Sequence, residues 1–197
     1  MKYINNEDDN INIENLKESI DCIFYENSDD EYIGYDEASV LWNELNDFID
    51  RKIEPLIELQ RYMEAVELIL HLASSFTEYD IDDSDGVIMG IYSRCEEIIS
   101  LVIRLCSEKE EEKIFQDVVY EIDNNNDEYG YYKGFLDRLL FNQFKSEKSL
   151  KEILKIVNSR IKSLSGDKED SFSQFYFKII LSAKLKIMEE LNLPDNE

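Results

Sequence analysis

An all-α fold is what this sequence predicts, and three observations predict it. Apolar residues recur at three- and four-residue spacing along most of the chain, the spacing that lines one face of a helix. Only two prolines and six glycines punctuate 197 residues. No stretch alternates apolar and polar residues as a half-buried strand does. The expectation is about eight helices paired as antiparallel hairpins, in a bundle or a short solenoid.

Residues 1–13 are polar and acidic and read as a flexible arm; residues 14–194 read as a single all-helical domain, with a possible subdivision near 123–130. A first helix over Asn15 to Tyr25 carries Leu16, Ile20, Ile23 and Phe24 on one face. The loop from Glu26 to Tyr35 follows, with Tyr32, Ile33 and Tyr35 expected against the core. Asp36 is a natural N-cap, since its carboxylate can accept from amides that a helix start leaves unpaired. Val40, Leu41, Leu45, Phe48, Ile49 and Ile53 then form a buried stripe, and Pro55 removes a backbone donor, so the helix is expected to kink or restart there. Tyr62, Ala65, Val66, Leu68, Ile69, Leu72, Ala73 and Phe76 mark the next helix, antiparallel to the one before.

After an acidic run, residues Val87 to Cys106 are apolar around much of the helical circumference, which places that helix centrally. Ser107 with Glu110 forms a capping-box pattern ahead of Ile114, Phe115, Val118, Val119 and Ile122. The polar run Asp123 to Asp127 reads as a surface loop. Further helices are expected over Tyr131 to Phe144, over Glu147 to Leu164 with Gly166 as its C-terminal stop, and over Lys168 to Leu191 ahead of Pro194. The last carries Phe172, Phe175, Tyr176, Ile179, Ile180, Ala183, Ile187 and Met188 as its buried face.

Charge narrows the function classes. The net charge is −24, and residues 1–100 hold six basic against twenty-six acidic residues, whereas residues 151–197 hold eight of each. Such a front half repels phosphate backbones and anionic lipid, so neither direct nucleic-acid binding nor membrane association is expected. A partner steered by this field is a protein with a basic surface; the oligomeric state stays open. Three cysteines without paired spacing, no leader-like apolar segment and no apolar run of about 20 residues point to a cytoplasmic setting.

The most distinctive stretch is Tyr79-Asp80-Ile81-Asp82-Asp83-Ser84-Asp85-Gly86. With Gly86 at position six of a calcium loop, Asp83 and Asp85 fall at three and five, but position one is Ile81 and position twelve is Tyr92. The first ligand and the closing bidentate carboxylate are both missing. The plainer reading is that Asp82 or Asp83 caps the following helix, Asp85 sits at its positive end, and Gly86 lets another backbone come close. His71 with Cys22, Cys95 and Cys106 makes a poor zinc set, since the last two lie about 16 Å apart along one helix. No nucleophile elbow, cysteine and histidine pair or phosphate-cradling glycine loop occurs, so no catalytic residue and no cofactor is assigned and the chain is expected not to be an enzyme. Lys151, Lys155 and Lys162 alternate with acids and read as a solvated face. Tyr129, Tyr131 and Tyr132, with Phe135 and Phe141, offer large amphipathic contact area. Together with Asp82, Asp83 and Asp85, the three tyrosines are the candidate partner-binding residues.

Two resemblances carry into expectation. Leu59-Gln60-Arg61-Tyr62-Met63-Glu64-Ala65-Val66 is similar to the inter-helix turn of tetratricopeptide repeats, with Gln60 in place of the usual glycine. Tyr32-Ile33-Gly34-Tyr35-Asp36-Glu37-Ala38-Ser39, then Arg61-Tyr62-Met63-Glu64-Ala65, then Asp82-Asp83-Ser84-Asp85-Gly86, in that order, resemble the helical region that follows the finger in prokaryotic SWIM zinc finger proteins. The cysteine and histidine ligand pairs of that finger are absent here. The resemblance therefore implies a helical, repeat-like region with a binding role and no catalytic residue. The function expected is a non-enzymatic helical protein interaction module. An acidic mimic of nucleic acid that inhibits a basic nucleic-acid-handling protein is the second expectation, and an enzyme or metal site built on Asp80 to Asp85 is the third.

Overall fold

The computed structural model describes residues 12–124, 130–164 and 171–194. The fold is all-α: eight helical rods among the described residues, joined by one two-residue β-ladder. Compact packing divides the chain into two units, residues 1–110 with 124–135 and residues 111–123 with 136–197.

In the first unit, α1 (Ile13–Glu26) buries Ile20 and Phe24. It begins earlier than its apolar stripe requires because the Asn12 side chain accepts from the Glu14 amide at 3.0 Å, an N-cap. Asn12 and Ile13 thus belong to the helix start, and the rest of the expected arm lies outside the described residues. β1 (Tyr32–Ile33) follows, and it pairs in parallel with β2 (Asp80–Ile81), Tyr32 opposite Asp80 and Ile33 opposite Ile81. Strand geometry sends successive side chains to opposite sides, so Ile33 is fully buried while Tyr32 and, beyond the strand, Tyr35 are each 49% exposed and do not tuck into the core.

Pairing Ile33 also draws the start of α2 (Tyr35–Phe48) upstream. Gly34 takes the cap position with no side-chain bond, and the expected cap Asp36 sits within the first turn, where its charge still meets the positive end of the helix. The rod does not restart at Pro55. It passes through a π-helical turn, Ile49–Ile53, into α3 (Glu54–Glu58), and the wider turn accommodates a proline that has no amide to donate. Of the expected stripe, Leu41, Leu45, Phe48, Ile49 and Ile53 are buried and Val40 is exposed. α3 closes with amides of Gln60 and Arg61 donating to the carbonyls of Ile57 (3.0 Å) and Leu56 (2.8 Å), while Gln60 stands at φ 58°. That is a Schellman turn whose left-handed position holds glutamine where glycine is usual.

α4 (Tyr62–Ser75) packs on α1, α3 and α5 (Val87–Leu105), and α2 packs on α1 and α5. Gly90 makes the last contact possible: a Cβ there would lie 2.3 Å from the Trp42 ring, so only glycine lets the indole lie across α5. A chain of rings runs through this core. Tyr79 stacks on Phe24 (5.3 Å between centroids), Phe24 meets Phe76 edge-on (4.9 Å), Phe76 meets Tyr92 (5.4 Å), and Tyr92 stacks on Phe135 (5.0 Å). The buried Tyr92 hydroxyl donates to the Ala73 carbonyl at 3.1 Å. Ser107 and Glu110 form the expected capping box: the Ser107 amide donates to the Glu110 carboxylate at 2.8 Å, and these bonds hold the Glu110 carboxyl below its usual range.

The second unit takes most of α6 (Glu108–Asn124), the later part of α7 (Tyr131–Asn142), α8 (Glu147–Leu164) and α9 (Ser171–Glu190), with α8 and α9 side by side. Phe115 and Phe144 meet edge-on at 5.2 Å. Arg160 donates to the buried Asp137 carboxylate at 2.6 Å, and the Tyr176 hydroxyl donates to its other oxygen at 2.8 Å. This satisfies a buried carboxylate from both sides. α7 ends before Phe144, and α9 buries Ile180, Ala183, Ile187 and Met188 but leaves Phe175 62% exposed and Ile179 exposed, contrary to the predicted face. Gly166 lies outside the described residues. No helix among the described residues is long and apolar enough to cross a membrane.

Candidate functional site

The acidic run of residues 80–85 is held by its own hydrogen bonds and by β1. Amides of Asp80 and Asp82 donate to the carbonyls of Glu31 and Ile33, each at 2.9 Å. The Asp82 carboxylate turns back to the Ser84 amide (3.2 Å) and hydroxyl. Asp83 accepts from the Ile88 amide at 2.9 Å, so of the two candidates it is Asp83 that satisfies the start of α5. Asp85 accepts from the Tyr35 hydroxyl, a bond that raises the phenol above its ordinary pKa by holding the proton against a carboxylate. Gly86 stands at φ 74° with no atom within 4 Å of a would-be Cβ, so the glycine serves the left-handed turn and not the close approach expected of it.

Three of these four carboxylates therefore point to three separate partners. Among the described residues, no group of three His, Cys, Asp or Glu side chains comes together in a way that could hold a metal. His71 lies 2.7 Å from the Asp21 carboxylate, Cys22 is exposed, and Cys95 is buried with its thiol pushed up by desolvation.

What the fold adds is the joining of two acidic stretches far apart in sequence. Residues 18–50 contain eleven acids and no Lys or Arg, and residues 62–93 contain seven acids and no Lys or Arg. The β1–β2 ladder sets Asp29 to Tyr35 of the first beside Asp80 to Asp85 of the second. The first strand is entered by a tight turn in which Asp29 and Tyr32 exchange backbone bonds of 2.9 and 3.0 Å, with Asp30 at φ 47° and Glu31 at φ 68°. Two successive left-handed residues make a turn that favours Asn-Gly, yet the chain places Asp-Glu there.

A cleft of ≈ 190 Å³ opens beside β2. It is lined by Phe76, Ile88 and Tyr92, all buried, together with Tyr79, Ile81 and Tyr131 and the polar residues Thr77, Asp80 and Asp83. The candidate residues thus part company. Asp83 and Tyr131 come together in one cleft, and Asp82 and Asp85 flank it along the chain. Tyr132 is 2% exposed and stacks on Phe135 at 6.0 Å, so it is a core ring with no surface to offer a partner; Tyr131, one position away, is 44% exposed. Phe135 and Phe141 are buried as well. Tyr129 lies outside the described residues. Tyr79 and Asp80 were not singled out as contact residues. Asp80 opens the acidic run and Tyr79 adjoins it, and the pairing of β2 with β1 sets Asp80 opposite Tyr32.

No family model, no curated protein and no solved structure matches this chain.

Proposed function

We propose that the chain is a non-enzymatic helical protein interaction module, a scaffold or regulatory subunit, whose acidic face at β1 and β2 holds a partner protein with a basic surface. The observation that carries this reading is the ladder, which sets Asp29 to Tyr35 beside Asp80 to Asp85, two stretches without Lys or Arg, while the cations Lys17 and Arg94 pair with Glu67 and Asp50 outside those stretches. A face of one sign speeds the approach of an oppositely charged partner and rejects others. The Asp30-Glu31 turn supports the same reading. Glu31 holds a carboxylate at a left-handed position that glycine would fill without strain, at a cost of about 1 kcal/mol.

Affinity capture from the cell's own lysate, with the wild-type chain and the double variant Asp82→Asn/Asp85→Asn side by side, tests the proposal. A partner retained by the wild type, depleted at least about fivefold on the variant and released by moderate salt is the expected result. No specific partner, or one held equally by the variant and in high salt, overturns it. The same basic-free face favours a second reading, in which it imitates the phosphate charge of nucleic acid in the groove of a basic nucleic-acid-handling protein. In that case duplex DNA competes with the chain for the captured partner, whereas a partner with a merely basic protein surface is not displaced in that one-for-one manner.

A further inference from the structure

We propose that the cleft beside β2 takes the guanidinium of one arginine side chain presented by the partner, a proposal that rests on the acidic-face reading. Size comes first. At ≈ 190 Å³ the cleft is smaller than the roughly 300–1,000 Å³ of sites that hold cofactors or metabolites, and it suits a single side chain. Chemistry comes second. Tyr79, half-buried, and Tyr131, exposed, line the space with ring surface that solvent reaches, while Tyr92 is fully buried beneath them, and Asp80 and Asp83 are among the lining residues. Aromatic faces attract cations, and carboxylates exclude an anion and leave an apolar occupant with uncompensated charge.

Planarity decides between the two basic side chains. A guanidinium stacks on a ring while its fork of N–H groups engages carboxylate oxygens, whereas an ammonium is more strongly hydrated and has no flat face to stack. Asp83 is held in place by the Ile88 amide, and Tyr92 by its bond to Ala73 and its stack on Phe135. Part of the cleft is therefore set before any occupant arrives. Charge complementarity points the same way, since no Lys or Arg occurs between Arg61 and Arg94, the span that supplies eight of the nine residues lining the cleft.

The test is an amide-shift titration of the full chain by nuclear magnetic resonance with three capped tripeptides, Gly-Arg-Gly, Gly-Lys-Gly and Gly-citrulline-Gly. The expected result is saturable shifts at Thr77, Ile81 and Ile88 with the arginine peptide, about fivefold weaker binding of the lysine peptide and none of the neutral citrulline peptide. Asp83→Asn, whose amide oxygen can still accept from Ile88, and Tyr131→Ala, at an exposed position, each lower arginine affinity about tenfold. Equal binding of the citrulline and arginine peptides, absence of saturable shifts at these amides, or indifference to both substitutions overturns the proposal. If the cleft fails while capture of the partner still depends on Asp82 and Asp85, the acidic-face reading stands; if capture ignores those residues, the face itself is refuted.

Discussion

At Gln60 and Glu31 the backbone adopts left-handed conformations that most residues with a side chain occupy at a cost of roughly 1–2 kcal/mol, whereas Asp30 beside Glu31 is a residue that tolerates the same region. Gln60→Gly relieves that strain in a turn whose hydrogen bonds are already made, so it should stabilise the chain by about 0.5–1 kcal/mol, measured by urea unfolding. A loss of stability would mean that the Gln60 side chain supplies something the turn needs. Glu31→Gly should stabilise similarly, but it also removes a charge from the acidic face and should weaken partner binding. The two substitutions thus separate strain that serves the fold from strain that accompanies the face. At this scale the sequence was legible where residue chemistry is specific. Ser107 with Glu110 signalled a capping box, and its hydrogen bonds are formed. It was illegible where a single step of helical phase decides. Tyr131 and Tyr132 are equivalent in composition, yet about 100° of rotation sends one to solvent and the other into the core.

Among elements, the contact between α2 and α5 depends on one missing methyl group. Gly90→Ala places a Cβ within 2.3 Å of the Trp42 ring, and separating the helices to admit it should cost about 1–3 kcal/mol. Trp42 is the only tryptophan, so its emission should shift to the red as the ring gains water, with a lower unfolding midpoint in the same samples. Unchanged emission and stability would contradict the packing described. The helices themselves could be read from their apolar stripes because a period near 3.6 survives without tertiary information. Their ends moved with the caps: Asn12 drew α1 upstream, and Ile33 drew α2 back past Asp36. The π-helical turn ahead of Pro55 and the two-residue ladder were hidden for different reasons. A proline in a stripe announces a disturbance without its form, and two residues are too short to display a strand period.

For the whole molecule, total charge is read directly from composition but its arrangement is not, because the acids of Asp29 to Asp36 and of Asp80 to Asp85 become neighbours through the long-range pairing of β1 with β2. Under the proposed function, a partner protein sits on this paired region. Hydrogen exchange of the chain with and without its captured partner tests that claim most directly. Slowed exchange concentrated at residues 29–36 and 76–88, weakening as salt is raised, is the predicted outcome. Protection confined instead to the exposed apolar residues of α9 around Phe175 and Leu185, with residues 29–36 and 76–88 unchanged, would contradict it.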